Sequence, residues 1–345
     1  MGGKKIVIIG GGFAGAYLAK NLQDSFKVTL VDKKEYFEFT PSILKVIVNP
    51  KSFNKIQICH KTYLDKGEFI CGEVSEVGRD YIIVAHKKLK FDYLVLASGS
   101  KYNAPIKDPL VLVPQRGKEI QEYHDKLEKA GDVVIVGGGL VGVELASEIK
   151  CVYKDKKITL IQFDSSLIPR NCKKSRDYAQ KHLEKCGVKL IFNEMVIKKD
   201  KNEWITDKGN KVKGDIVFFC TGIKSNSEFM SKNFKDKLDG SGHIKTNTFL
   251  QLEGFGNIFV AGDVSDIKEE KTAQGAEDQA QLILKNIKKI EGGKDMREYQ
   301  SSKKPFVISL GRNKGIFEYR NFTLTGFIPS LMKKAIEWKT MWRYR

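Results

Sequence analysis

Apolar residues near the start of the chain fall in short blocks. Lys5 to Ile9 forms one block, and Val28 to Val31 forms a second that ends at Asp32. Between them lie Gly10-Gly11-Gly12-Phe13-Ala14-Gly15 and a helix-like stretch through Leu22. The same order returns at Val133 to Val136, followed by Gly137-Gly138-Gly139-Leu140-Val141-Gly142, a helical stretch through Ile149 and a strand from Ile158 to Ile161. Strands alternating with helical stretches in this way predict an α/β fold.

Each copy carries the spacing GxGxxG between a strand and a helix. Glycines at the first two motif positions allow a tight turn and close approach of backbone N–H groups to a pyrophosphate, and the third lets helix and strand pack closely. The helix N-terminus adds partial positive charge. Two Rossmann-like dinucleotide-binding units follow from this repetition. Asp32 stands near the spacing of roughly 20 residues expected of an acid that accepts hydrogen bonds from an adenosine ribose. The equivalent residue of the second copy is Gln162, neither an acid nor an arginine, so NADH and NADPH both stay open.

Three further apolar runs end in small-residue turns: Tyr93 to Leu96 before Ala97-Ser98-Gly99, Ile216 to Cys220 before Thr221-Gly222, and Asn257 to Ala261 before Gly262-Asp263. This layout resembles the FAD-dependent pyridine nucleotide oxidoreductases, in which such an aspartate holds the flavin ribityl chain. The resemblance covers nearly the whole chain. It implies an FAD domain built from residues 1–108 and 241–298, an NAD(P)H domain of 109–240 inserted within it, and a small C-terminal α+β segment, 299–345. Cofactor contacts implied for FAD are Gly10, Gly12, Phe13, Ala14, Gly15, Asp32, Pro41, Ala97, Ser98, Gly99, Gly262, Asp263, Thr272 and Ala273. Those implied for NADH or NADPH are Gly137, Gly139, Leu140, Val141, Gly142, Glu144 and Gly222.

The electron acceptor is addressed by other segments. Disulfide reductases of this group carry cysteines after the first ribose-binding acid, whereas Tyr36 to Leu44 holds none, which disfavours thiol chemistry at the flavin. Phe39-Thr40-Pro41 and Ala273-Gln274-Gly275-Ala276-Glu277-Asp278-Gln279 are similar to segments of type II NADH:quinone dehydrogenases. Cys220 to Asn226, Ser309 to Gly315 and Trp338 to Met341 resemble the apoptosis-inducing-factor-like NAD(P)H:coenzyme Q reductases. The resemblance implies hydride transfer from NAD(P)H to flavin, then two electrons to a quinone such as ubiquinone. Glu144 is the catalytic candidate at the nicotinamide end, and Gln274 the candidate donor to a quinone carbonyl. The helix opening at Thr272 would aim its N–H groups at the flavin pyrimidine. A ferredoxin- or rubredoxin-type reductase and an apoptosis-inducing-factor-like redox signalling protein remain alternatives.

Composition narrows the setting. The 345 residues carry a net charge of +18, but lysine is scattered along the chain, which argues for a solvated basic surface over a nucleic-acid site. Six dispersed cysteines without metal-ligand spacing are expected to be reduced structural thiols in a cytoplasmic setting, with no metal. The five histidines are expected to be structural or surface residues. The first strand pattern begins at about Lys5, leaving no room for a signal or transit peptide. Ile6 stands where an N-myristoylation motif takes Ser or Thr, which argues against acylation of Gly2.

The last segment differs in kind. Phe306 to Leu310 and Ile316 to Thr325 read as strands around the turn Arg312-Asn313-Lys314-Gly315, and a helix is expected beyond Pro329. Leu331, Ala335, Trp338 and Trp342 form one stripe of it, widened by Met332 and Ile336, with Lys333, Lys334, Glu337 and Thr340 off the stripe and Met341 out of pattern. Such a helix suits a peripheral membrane contact. It also suits packing on its own flavin domain.

Overall fold

The computed structural model describes residues 3–101 and 113–345. Gly2 and the expected 108/109 domain junction lie outside the described residues. The chain opens with β1 (Lys5–Ile9), α1 (Phe13–Leu22) and β2 (Lys27–Asp32), then adds β3 (Glu68–Cys71) and β4 (Tyr93–Leu96). A second unit follows with β5 (Asp132–Val136), α2 (Leu140–Val152), β6 (Lys157–Gln162), β7 (Val188–Phe192) and β8 (Ile216–Phe219). The chain then returns through β9 (Ile258–Val260) and α3 (Ala273–Glu291).

The first sheet has the order β9-β4-β1-β2-β3 and the second β7-β6-β5-β8, with every pairing parallel. The late strand β9 completes the first sheet beside β4, so the second unit is inserted in the first. Continuous apolar strands suit sheets covered on both faces. In β1, Ile6 and Ile8 join one hydrophobic cluster while Val7 and Ile9 join another. The two crossings between units pair with each other: Ser100 and Lys101 run antiparallel to Ser225 and Lys224. Ser98 Oγ donates to Asn226 O at 2.7 Å beside them.

The C-terminal segment is α+β, as expected, but its elements differ in detail. Strands β10 (Phe306–Ser309), β11 (Gly315–Tyr319) and β12 (Phe322–Gly326) form an antiparallel sheet, followed by α4 (Phe327–Tyr344). The expected single strand from Ile316 to Thr325 is broken by a turn at Arg320, which takes φ +52°. Pro329 lies inside α4, not before it, because proline is tolerated in the first turn, where its missing N–H costs nothing.

The orientation of α4 is the larger surprise. Its buried residues are Pro329, Ser330, Lys333, Thr340, Met341 and Tyr344, none of which belongs to the apolar stripe. Leu331 and Ile336 are exposed, and Trp338 and Trp342 each keep 68% of their surface in solvent. The helix therefore packs on its own protein through the more polar face and presents the apolar stripe outward.

Candidate active site

The two glycine loops have nearly the same geometry. Gly10 and Gly137 take φ of +98° and +107°, and a Cβ on either would collide with a backbone carbonyl, of Ala97 or of Cys220. A Cβ on Gly15 or Gly142 would strike the carbonyl of Gly10 or Gly137, which is the close helix–strand packing the motif demands. Gly12 and Gly139 have nothing within 4 Å of that position and form open cradles at the N-termini of α1 and α2. Asp32 accepts from Gly11 N–H at the end of β2. Gln162 Oε1 accepts from Gly138 N–H at 2.8 Å at the end of β6.

A cavity of about 1250 Å³ begins at the first loop. Of the residues singled out from sequence, Gly10, Gly12, Phe13, Ala14, Asp32, Pro41, Ala97, Ser98, Gly99, Gly262, Asp263, Thr272, Ala273 and Gln274 line it, together with Leu140, Val141 and Glu144 from α2. Gly15 packs behind it, and Gly137, Gly139, Gly142 and Gly222 lie on the second unit outside this lining. Asp263 Oδ2 accepts from Ser100 Oγ at 2.5 Å. Gln279, buried in α3, accepts from Gly262 N–H at 2.7 Å and so sets the turn that presents Asp263. Thr272 caps α3 by accepting from Gly275 N–H at 3.1 Å.

Residues 4–280 match the profile described as pyridine nucleotide-disulphide oxidoreductase. The chain belongs to that family. It is 32% identical to apoptosis-inducing factor homolog B of Dictyostelium discoideum, over 96% of this chain and 94% of the relative. It is 32% identical to ferroptosis suppressor protein 1 of Homo sapiens, over 99% and 96%. Among solved structures, NDH2 from Plasmodium falciparum in complex with NADH superposes with a TM-score of 0.85 at 17% identity, covering 99% of this chain and 96% of that one. The sulfide:quinone oxidoreductase of Aquifex aeolicus gives 0.84 at 21%, covering 99% and 91%. These likenesses show the shared fold of the pyridine nucleotide-disulphide oxidoreductases.

The residues present fit FAD, the cofactor the family implies: an open glycine cradle, a helix N-terminus, an acid at the ribose position and a second acid at Asp263. Among the described residues no cysteine lines the cavity. All six cysteines are free, and Cys59, Cys71 and Cys151 are exposed, which corrects the expectation of structural thiols for those three.

Of the residues at or just behind the wall, Glu38, Arg116, Glu148, Lys333 and Arg343 were not singled out from sequence as site residues. Glu144 Oε1 is ion-paired with Lys333 from α4, and accepts from Ser309 N–H at 2.7 Å. One turn on, Glu148 lies 3.2 Å from Ser309 Oγ, and burial pushes its carboxyl above the ordinary range, with Lys45 and Glu144 acting in opposite senses. Arg343 pairs with Glu277 at 2.8 Å, and the buried Arg116 lies 3.8 Å from Glu38. The signal for Lys333 was its place off the apolar stripe. Two of the histidines, expected to be structural or surface residues, lie at the site: the exposed His86 lines the cavity, and His60 is fully buried against Gly11.

Proposed function

We propose that this chain is an FAD-dependent NAD(P)H:quinone oxidoreductase that takes its quinone from a membrane surface. FAD would lie in the domain of residues 1–108 and 241–298, NAD(P)H on residues 109–240, and the membrane would meet residues 299–345. One observation carries the reading. The cavity that starts at Gly12 passes Leu140, Val141 and Glu144 and ends against Ile336, Lys339, Thr340 and Arg343 of α4, whose other side exposes Leu331, Trp338 and Trp342. A site for a dinucleotide thus opens beside a surface suited to headgroup depth, where indoles settle and lysines reach toward phosphates. Among the described residues no helix is long and apolar enough to cross a membrane.

Bound FAD supplies the hydride and electron chemistry. The chain's part is to orient and to set charge. Glu144, held by Lys333 and Ser309, fixes the wall that the nicotinamide would approach from Leu140 and Val141. Lys333 Nζ is ion-paired with Glu144 and balances a carboxylate whose side chain is mostly out of solvent. Gln274 is exposed at the cavity edge, where its amide would reach a quinone carbonyl. Thr272, Ala273 and Gln274, which open α3, line the same space.

Two assays test this. Steady-state oxidation of NADH and NADPH is measured with a short-chain ubiquinone, a menaquinone analogue, ferricyanide and a ferredoxin. Quinone turnover is expected, and ferredoxin reduction with failure of every quinone would overturn the reading. In the second, protein is sedimented with anionic vesicles. Wild type should pellet, and Trp338→Glu with Trp342→Glu should stay in the supernatant while still reducing ferricyanide. Substitution is preferable to removing α4, because Met341 and Tyr344 are built into the protein's interior.

A further inference from the structure

The last turn of α4 reaches the phosphate loop of the first unit from behind. Tyr344 is fully buried. Its ring lies 4.7 Å from that of Phe37 and 5.0 Å from that of Tyr63. Phe37 meets Phe13 edge-on at 5.2 Å, and Phe13 is the first residue of α1, lining the cavity directly after Gly12. Tyr63 continues the second route, with its Oη 2.5 Å from His60 Nδ1. The His60 ring occupies the space that a Cβ on Gly11 would need. Gly11 in turn donates its N–H to Asp32, the ribose-side acid. A third tie runs to α1 itself, since Lys20 Nζ donates to the Arg343 carbonyl and lies 5.8 Å from the Tyr344 ring.

We infer that Tyr344 is a positioning residue for FAD: its ring holds Phe13 and His60 in place and so sets the shape of the Gly10–Phe13 loop that grips the pyrophosphate. The inference rests on the FAD reading above. Interiors are close-packed, and an absent ring leaves its neighbours without partner atoms, so a gap at Tyr344 is transmitted along both aromatic routes. No contact between Tyr344 and the cofactor is required. The Tyr344 ring matters and its hydroxyl does not, because Tyr344 joins both routes through its ring contacts with Phe37 and Tyr63.

The experiment follows FAD release from the full chain by the rise in flavin fluorescence on dilution, and FAD affinity by titrating the apoprotein. Tyr344→Ala should release FAD faster by about tenfold or more, as expected for a large core ring removed. Tyr344→Phe should restore the wild-type rate. Tyr63→Phe leaves Tyr344 packed and cuts only the hydrogen bond to His60, so release should quicken by roughly two- to tenfold, with the apoprotein melting at a somewhat lower temperature because His60 Nδ1 is left buried without that partner. If Tyr344→Ala does not fold, Tyr63→Phe decides. Wild-type release in both variants, or failure of phenylalanine to rescue, would overturn the inference. A wild-type protein that binds no FAD would instead remove the reading beneath it.

Discussion

The two glycine loops share a backbone and differ in what stands behind them. Both use a positive-φ first glycine, an open second glycine and a third pressed against the first. Behind the first loop stand the imidazole of His60, the carboxylate of Asp32 and an aromatic wall extending to the end of the chain. Behind the second stand the aliphatic Leu167 and the amide of Gln162, and the next residue, Phe163, is exposed. In our reading the first loop is braced to keep a resident cofactor. The second is left open for a coenzyme that must come and go.

Exchanging the open glycines is the strongest way to break this comparison. A Cβ at Gly12 or Gly139 meets no protein atom within 4 Å, so the cost of valine there should fall on the ligand and little on folding. Gly12→Val should be folded but colourless. Gly139→Val should be yellow, with flavin reduction by NADH slowed by about a hundredfold or more, since hydride transfer needs the rings about 3–3.5 Å apart. Visible absorbance and anaerobic stopped-flow separate the two, and a yellow Gly12→Val protein would remove the distinction.

Acid should also act on the halves differently. Burial lowers the pKa of His60 from 6.5 to about 4, with Asp32 opposing and Lys34 assisting. The unfolded chain therefore binds more protons between these values, so this contribution is complete above pH 6.5 and is lost as pH falls through about 4. It amounts to about 3 kcal/mol. His182, on the helix Lys173–Lys185 of the second unit, shifts in the same direction, to about 4, through burial and Lys314. FAD release measured from pH 7 to 4 should accelerate in wild type and respond less in His60→Phe, whereas His182→Phe should leave the flavin curve unchanged. Equal effects of both variants would show that acid acts on the whole fold.

The smallest effect concerns the coenzyme. Gln162→Glu preserves an acceptor for Gly138 N–H and adds a negative charge where a 2′-phosphate would sit. The kcat/KM for NADPH should fall relative to NADH by about tenfold, the equivalent of roughly 1.4 kcal/mol. An unchanged ratio would place the adenosine ribose elsewhere.

The loops were legible in sequence because Gly10, Gly15, Gly137 and Gly142 leave no room for a Cβ, and the strands because burial on both faces demands continuous apolar residues. Helix α4 was legible only in part. Periodicity identified Leu331, Trp338 and Trp342 as one stripe, but it does not say which side faces the protein. Lys333 goes inward because Glu144 neutralises it, and Ser330 because it donates to Arg312 O at 3.0 Å. Glu144 is far from Lys333 in the chain, as are Arg116 from Glu38 and Tyr344 from Phe37.

The most direct test of the whole account is a double-mixing anaerobic stopped-flow experiment on the full chain. NADH is added first, then ubiquinone in anionic vesicles, while flavin absorbance is followed. The account predicts bleaching on the first mix and full return of the flavin bands on the second, with a slower return in Trp338→Glu with Trp342→Glu. Flavin that bleaches with NADH and stays bleached with quinone would contradict it.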